Sequence, residues 1–222
     1  MRNANLLMMG CLLSYTAAAA QEQPRVLKGG GHLLGETVEQ FYSEGYVGEL
    51  LRACQAGDWK SVNHMYNSSD HSSKSAAKDI CAKQMLVKRR AAGGERVEYQ
   101  GGGDQETLRA DKFLLDGGRL VRIAMVYNAP LANIEGSHAK SYAELLAGLQ
   151  EAYGAPTKSY AEEVVNAYGV KYDARRAVWM GKQDVISMTE QPGANGWTEI
   201  VAETVAEFNR AAQAPKSANP LQ

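Results

Sequence analysis

The chain has 222 residues, of which 45% are hydrophobic and 22% are charged, a composition ordinary for a globular protein. Its 24 lysines and arginines nearly balance its 25 acidic residues, so the formal net charge is −1. This balance argues against a general attraction to nucleic acid or to anionic lipid, and we expect no nucleic-acid partner.

Residues 1–20 have the features of a secretory signal peptide. Arg2 supplies the positive start, an apolar core runs from Leu6 to Leu13, and a small-residue run ends in Ala18, Ala19 and Ala20. The apolar core is too short for a membrane-spanning helix. We therefore predict cleavage after Ala20, export to the periplasm or the extracellular space, and no transmembrane anchor after cleavage.

Removal of this leader changes the cysteine count. The chain has three cysteines, and Cys11 leaves with the leader, so that Cys54 and Cys81 remain. In an oxidising compartment such a pair predicts a disulfide bond. A less favoured alternative is a metal site in which His64 and His71 join the two thiols, but the closely spaced ligand pairs typical of zinc sites are absent.

Residues 21–33 are polar and glycine-rich, and we predict that they form a flexible lead-in. We expect residues 34–212 to form a single domain and residues 213–222 to form a disordered tail. Thr37 and Gln40 have the spacing of a capping box at a helix start. A longer amphipathic helix is predicted over Lys74–Ala92 and ends at Gly93 and Gly94. The glycine triplets at 29–31 and 101–103 complete no nucleotide-binding motif, and we expect no cofactor.

The second half of the chain is dominated by strand patterns. A β-hairpin is predicted, in which the first arm covers Phe113–Leu115, the turn covers Asp116–Arg119 and the second arm covers Leu120–Tyr127. A helix over Ser137–Tyr153, with Ser137 as its cap, precedes strands at about 159–167, 170–172, 177–180 and 185–189. Residues 198–211 fit either a helix or a strand, and their alanine and glutamate content favours a helix. The fold class is α+β, with an N-terminal helical portion followed by an antiparallel sheet of four to six strands packed against a helix.

Two sets of residues invite a functional interpretation. The basic residues Lys83, Lys88, Arg89 and Arg90 form a possible face for an anionic partner, although a solvated helix face is the simpler interpretation. His64, Asp70 and His71 support the alternative hypothesis of a small exported hydrolase or metal-dependent enzyme, but no catalytic motif accompanies them. The favoured hypothesis is a non-enzymatic binding or interaction module of the cell envelope or extracellular space, whose partner is an envelope or extracellular protein.

Overall fold

A computed structural model describes residues 27, 29–65, 73–104, 109–128, 141–165, 169–191 and 197–213. Within these ranges the helices are α1 (Val38–Phe41), α2 (Gly45–Ala56), α3 (Trp59–Met65), α4 (Lys74–Ala92), α5 (Tyr142–Tyr153) and α6 (Val205–Gln213). The strands are β1 (Val97–Asp104), β2 (Arg109–Asp116), β3 (Arg119–Asn128), β4 (Lys158–Val165), β5 (Lys171–Met180), β6 (Asp184–Gln191) and β7 (Trp197–Thr204). The predicted α+β class, with helices before the sheet, is confirmed.

The strands form one antiparallel sheet in the order β1-β2-β3-β7-β6-β5-β4. β7 pairs with both β3 and β6, and so joins β1, β2 and β3 to β6, β5 and β4. The sheet has seven strands rather than the four to six predicted. No strand is predicted before the hairpin, but β1 passes through glycines 101–103 with a register shift between Gln100 and Gly103.

The predicted hairpin is confirmed as β2 and β3. Gly117 and Gly118 have φ angles of 58° and 77°, the left-handed values that a tight two-residue hairpin turn requires. In the last part of the chain, the preference for a helix over 198–211 is wrong for its first half. Ile200 and Ala202 of β7 lie opposite Met125 and Ile123 of β3, and this pairing buries them as strand residues.

Helix α5 begins later than predicted. Its cap is Ser141, whose side chain accepts a hydrogen bond from the backbone N–H of Glu144, while Glu144 in turn accepts from the Ser141 N–H. Ser137, the predicted cap, lies outside the described residues. Gly154 ends the helix with a φ of 77°, as its position in the sequence indicated.

The hydrophobic core lies on one face of the sheet, which we call the helix-covered face. At one end, side chains of β1, β2 and β3 pack against α1, α2 and the end of α4. At the other end, side chains of β3, β5, β6 and β7 pack against Tyr142, Leu145 and Leu149 of α5. Trp179 is at the centre of this second group, 1% exposed, and its Nε1 donates to the carbonyl of Gly154 at 2.9 Å.

The predicted disulfide is present between Cys54 of α2 and Cys81 of α4, whose Cα atoms lie 5.7 Å apart. It lies beside a small apolar cluster that includes Leu50, Val62 and Ile80. α4 has the bounds predicted from the sequence, and the Ser73 hydroxyl caps it by accepting from the Ala76 N–H at 3.2 Å. None of the described helices combines the length and the apolar character needed to cross a membrane.

Candidate functional site

The sheet face opposite the helix-covered face carries rows of charged side chains. Leu114 of β2 lies opposite Arg122 of β3, and Arg122 lies opposite Glu203 of β7. In the next row, Lys112 lies opposite Ala124, and Ala124 opposite Val201. None of the hydrophobic clusters formed by the described residues includes a side chain from these rows. We call this surface the charged face.

A groove with a volume of about 350 Å³ opens on the charged face between β1 and β7. Its apolar floor contains Leu114 and Ala124, which are 7% and 2% exposed. Its walls carry the side chains of Arg96, Glu98, Lys112, Arg122 and Glu199. We call this feature the charged groove. It combines an apolar floor with charges of both signs, as protein-binding surfaces commonly do.

Arg122 lies in this groove beside a buried carboxylate. Its Nε atom is buried and has no hydrogen-bond partner in the described part of the chain. Its cross-strand neighbour Glu203 is 7% exposed, and burial raises the pKa of Glu203 while the positive charge of Arg122 lowers it. The guanidinium group therefore compensates a buried carboxylate and retains a donor for a further acceptor.

One end of the charged groove is held in place by an ion-pair network. The guanidinium group of Arg96 contacts Glu207 of α6 through two bonds, Nη2 to Oε1 at 2.6 Å and Nη1 to Oε2 at 2.9 Å. Asp116 accepts hydrogen bonds from Arg96, at 3.1 Å, and from Arg210. The hydrogen bond from Arg96 lowers the pKa of Glu207, and the hydrogen bond from Arg210 lowers the pKa of Asp116. In both cases the bond stabilises the charged form of the carboxylate. This network anchors α6 to the ends of β1 and β2.

A second polar cluster is buried beneath α1. His32 is fully buried, and its Nδ1 lies 2.9 Å from Oε2 of Glu36. The His32 ring stacks against Phe41 at 4.3 Å and meets the edge of Phe113 at 5.2 Å. The buried ring thus joins the segment before α1 to the aromatic side chains of Phe41 and Phe113.

Asp111 and Arg109 extend this buried cluster. The Arg109 Nε lies 2.9 Å from Oδ1 of Asp111, which is 2% exposed. Burial raises the pKa of Asp111, while the Arg109 charge and a hydrogen bond from the backbone of Gly30 lower it. Gly29 and His32 exchange backbone hydrogen bonds of 3.2 and 2.9 Å around a glycine turn. The end of the segment expected to be a flexible lead-in thus docks on β2.

The residues of the hydrolase hypothesis are only partly described. His64 lies exposed in the last turn of α3, whereas Asp70 and His71 lie outside the described residues. Cys54 and Cys81 are bonded to each other, so neither is available as a thiolate ligand in this oxidised form. Among the residues that the structure describes, no three His, Cys, Asp or Glu side chains are grouped as metal ligands would be.

The four basic residues of α4 do not share one surface. Lys83 and Arg90 lie two turns apart on the same side of the helix, and Arg90 contacts Glu95 at 2.7 Å. Lys88 is half-buried, and its Nζ lies 5.6 Å from the centroid of the Tyr42 ring. Arg89 is exposed on another side. The four residues thus differ in exposure and in contacts, and a face for an anionic partner stays a prediction.

Sequence analysis did not identify the charged groove or the His32 cluster. The alternation in β3 placed Arg122 and Ala124 on the more polar side of a strand, which was the available signal. It could not show that Glu203, about 80 residues later, would lie beside Arg122. Likewise, His32 and Glu36 have helical spacing but lie just before the first helix.

Comparisons with known proteins returned no match to a protein-family model, to a curated protein or to a solved structure. The geometry of the charged groove is therefore the basis for a functional proposal.

Proposed function

We propose that this protein is an exported, non-enzymatic binding module of the cell envelope or extracellular space, and that a protein partner binds in the charged groove. The observation that carries this proposal is the combination of an apolar floor, Leu114 and Ala124, with the partly buried guanidinium of Arg122 beside it. A partner carboxylate or carbonyl would accept the hydrogen bond that Arg122 Nε does not make, and a partner apolar side chain would cover the floor.

Charge on the groove walls supports a protein partner over a purely anionic ligand. Arg96 already shares its charge with Glu207 and Asp116. Lys112 and Arg122 line the same groove as the acidic residues Glu98 and Glu199. Such mixed charge provides orientation and specificity to a complementary surface that carries both signs.

The binding test uses a photo-crosslinking amino acid at two positions. At residue 112, in the groove, we expect capture of one predominant protein partner in the native exported fraction. At residue 60, an exposed lysine position on α3, we expect no such product. Lys112→Glu should abolish capture by a crosslinker placed at residue 199, while Lys60→Glu should not. Equal capture at residues 112 and 60, or no capture at 112, would contradict the proposal.

Export is tested separately. N-terminal sequencing of the protein recovered outside the cytoplasm should begin at Gln21, as the small-residue run ending at Ala20 predicts. A protein that retains Met1 or starts at Cys11 would contradict the predicted cleavage, whatever the crosslinking shows.

A further inference from the structure

A second groove lies between α4 and β1, away from the floor of the charged groove. α4 and β1 are joined by a short turn over residues 93–96. Beyond this turn, Lys83, Gln84, Leu86 and Val87 of α4 line a groove with residues 98–100 of β1, and its volume is about 490 Å³. We call it the α4–β1 groove.

One wall of this groove is a strand edge. β1 is the first strand in the sheet order, and within the described ranges it pairs with β2 alone. The outer edge of such a strand presents backbone N–H and C=O groups that can pair with another extended chain. The α4–β1 groove follows this outer edge at residues 98–100.

A buried acceptor lies in the opposite wall. Gln84 is 5% exposed, and its Oε1 atom has no hydrogen-bond partner in the described part of the chain. A buried amide oxygen without a donor costs about 1–3 kcal/mol of folding free energy. A backbone N–H from a segment in the groove would supply this donor.

The surface around Gln84 is both apolar and basic. Leu86 lines the groove and is 56% exposed, so its side chain is accessible to an apolar group of an occupant. Lys83 is exposed at the groove. Glu98 of β1 also lines the groove, so a carboxylate of the occupant is placed at Lys83, on the α4 wall. An occupant with apolar and acidic side chains fits this wall.

We propose that the α4–β1 groove binds an extended acidic–apolar segment of a partner protein, which adds to the sheet as a strand beside β1. The backbone of the segment pairs with the outer edge of β1 and donates to Gln84 Oε1. An apolar side chain contacts Leu86 and Val87, and a carboxylate contacts Lys83. This is strand addition, in which backbone hydrogen bonds contribute affinity and side-chain contacts contribute specificity. This groove shares Glu98 with the wall of the charged groove, whereas Lys83, Gln84, Leu86 and Val87 line the α4–β1 groove alone, and the proposal does not depend on binding in the charged groove.

The test uses eight-residue synthetic peptides in which valine alternates with glutamate, lysine or serine. By NMR titration of the purified exported protein, we expect the glutamate peptide to bind with a dissociation constant in the micromolar to millimolar range. Amide shifts should be largest at residues 98–100 and 83–87. The same peptide with alternate backbone nitrogens methylated should bind at least about tenfold more weakly, because it cannot pair with a strand edge.

Charge reversal provides the specificity test. Lys83→Glu should weaken binding of the glutamate peptide about tenfold and strengthen binding of the lysine peptide. The matched control is Lys78→Glu on the same helix, an exposed residue that does not line the groove. It should change neither affinity by more than about twofold, and both variants should keep the wild-type circular dichroism spectrum.

Three results would overturn the proposal. The first is that the glutamate peptide does not bind at millimolar concentration. The second is that neither backbone methylation of the peptide nor Lys83→Glu changes its affinity. The third is that the protein forms a concentration-dependent dimer, which Leu86→Glu dissociates. The dimer would assign the groove to a second copy of this chain. Loss of crosslinking at residue 112 would leave these outcomes unchanged, because the peptide test does not use the charged groove.

Discussion

The imidazole Nδ1 of His32 lies 2.9 Å from the carboxylate of Glu36, in a site where His32 has no exposed surface. Glu36 also accepts a hydrogen bond from the backbone N–H of Leu33 at 2.8 Å. This contact joins the glycine turn at 29–32 to the start of α1, and the His32 ring fills space between Phe41 and Phe113. The segment before the first helix is therefore part of the core that supports β2.

Replacement of His32 by alanine should destabilise the protein by about 2–4 kcal/mol, because it removes a buried ring and the hydrogen-bond partner of Glu36 Oε2. Chemical denaturation followed by circular dichroism would measure the change. Glu39→Gln is the control, since Glu39 is an exposed residue of α1. It should shift stability by less than about 0.5 kcal/mol. An equally small effect of His32→Ala would contradict a core role for this segment.

Gly45→Ala should lower the stability of the fold by more than the strain at the positive φ angle of residue 45 alone would cost. A Cβ atom at residue 45 would lie 2.5 Å from the carbonyl oxygen of Gly30 and 2.8 Å from Nε2 of His32. Gly117 is a matched control, because it has the same φ of 58° and no atom within 4 Å of the added methyl group.

We expect Gly117→Ala to cost about 1 kcal/mol from left-handed strain and Gly45→Ala several times more, because overpacking is added to the strain. Thermal unfolding of the two variants side by side would measure the difference. Equal midpoints would show that α2 does not approach the glycine turn closely.

The disulfide should contribute about 3–4 kcal/mol to the free energy of unfolding, since it closes a loop with a sequence separation of 27 residues. Non-reducing peptide mass spectrometry should identify Cys54 linked to Cys81. Denaturation with and without a reducing agent would then give the energy. The double variant Cys54→Ala with Cys81→Ala should have the stability of the reduced protein and be insensitive to the agent. A midpoint unchanged by reduction would contradict a stabilising role.

Low pH should remove the contribution of the charged Glu207 side chain to the free energy of unfolding. The Arg96 contact lowers the folded-state pKa of Glu207 below its ordinary value of 4.5, so the carboxylate stabilises the fold above about pH 4.5 and loses this effect as the pH falls through the folded-state pKa. Glu207→Gln should therefore cost about 1–3 kcal/mol at pH 7 and progressively less below pH 4.5.

Urea denaturation of wild type and variant from pH 7 to pH 3 would measure this difference. Glu151→Gln, at an exposed residue of α5, should leave stability within about 0.5 kcal/mol of wild type throughout the range. A Glu207→Gln penalty that stayed constant with pH would show that the ion pair with Arg96 is not its source.

Elements specified by nearby residues could be predicted from the sequence. The bounds of α4 follow from its apolar periodicity and from Gly93 and Gly94, and the hairpin of β2 and β3 follows from Gly117 and Gly118. β1 and β7 could not be predicted in the same way. The glycines in β1, and Glu199, Ala202 and Glu203 in β7, have low strand preference, and these segments become strands because β2, β3 and β6 pair with them.

The sequence by itself determined the fold class, the pairing of Cys54 with Cys81 and the helices and hairpin whose signals are local. Only the tertiary structure decided that Arg122 lies beside Glu203, that His32 is buried against Phe113, and that Gln84 faces the edge of β1. The physical reason is that helix caps, turns and periodic patterns act over a few residues. Cross-strand neighbours, in contrast, depend on the register of strands that are far apart in the chain.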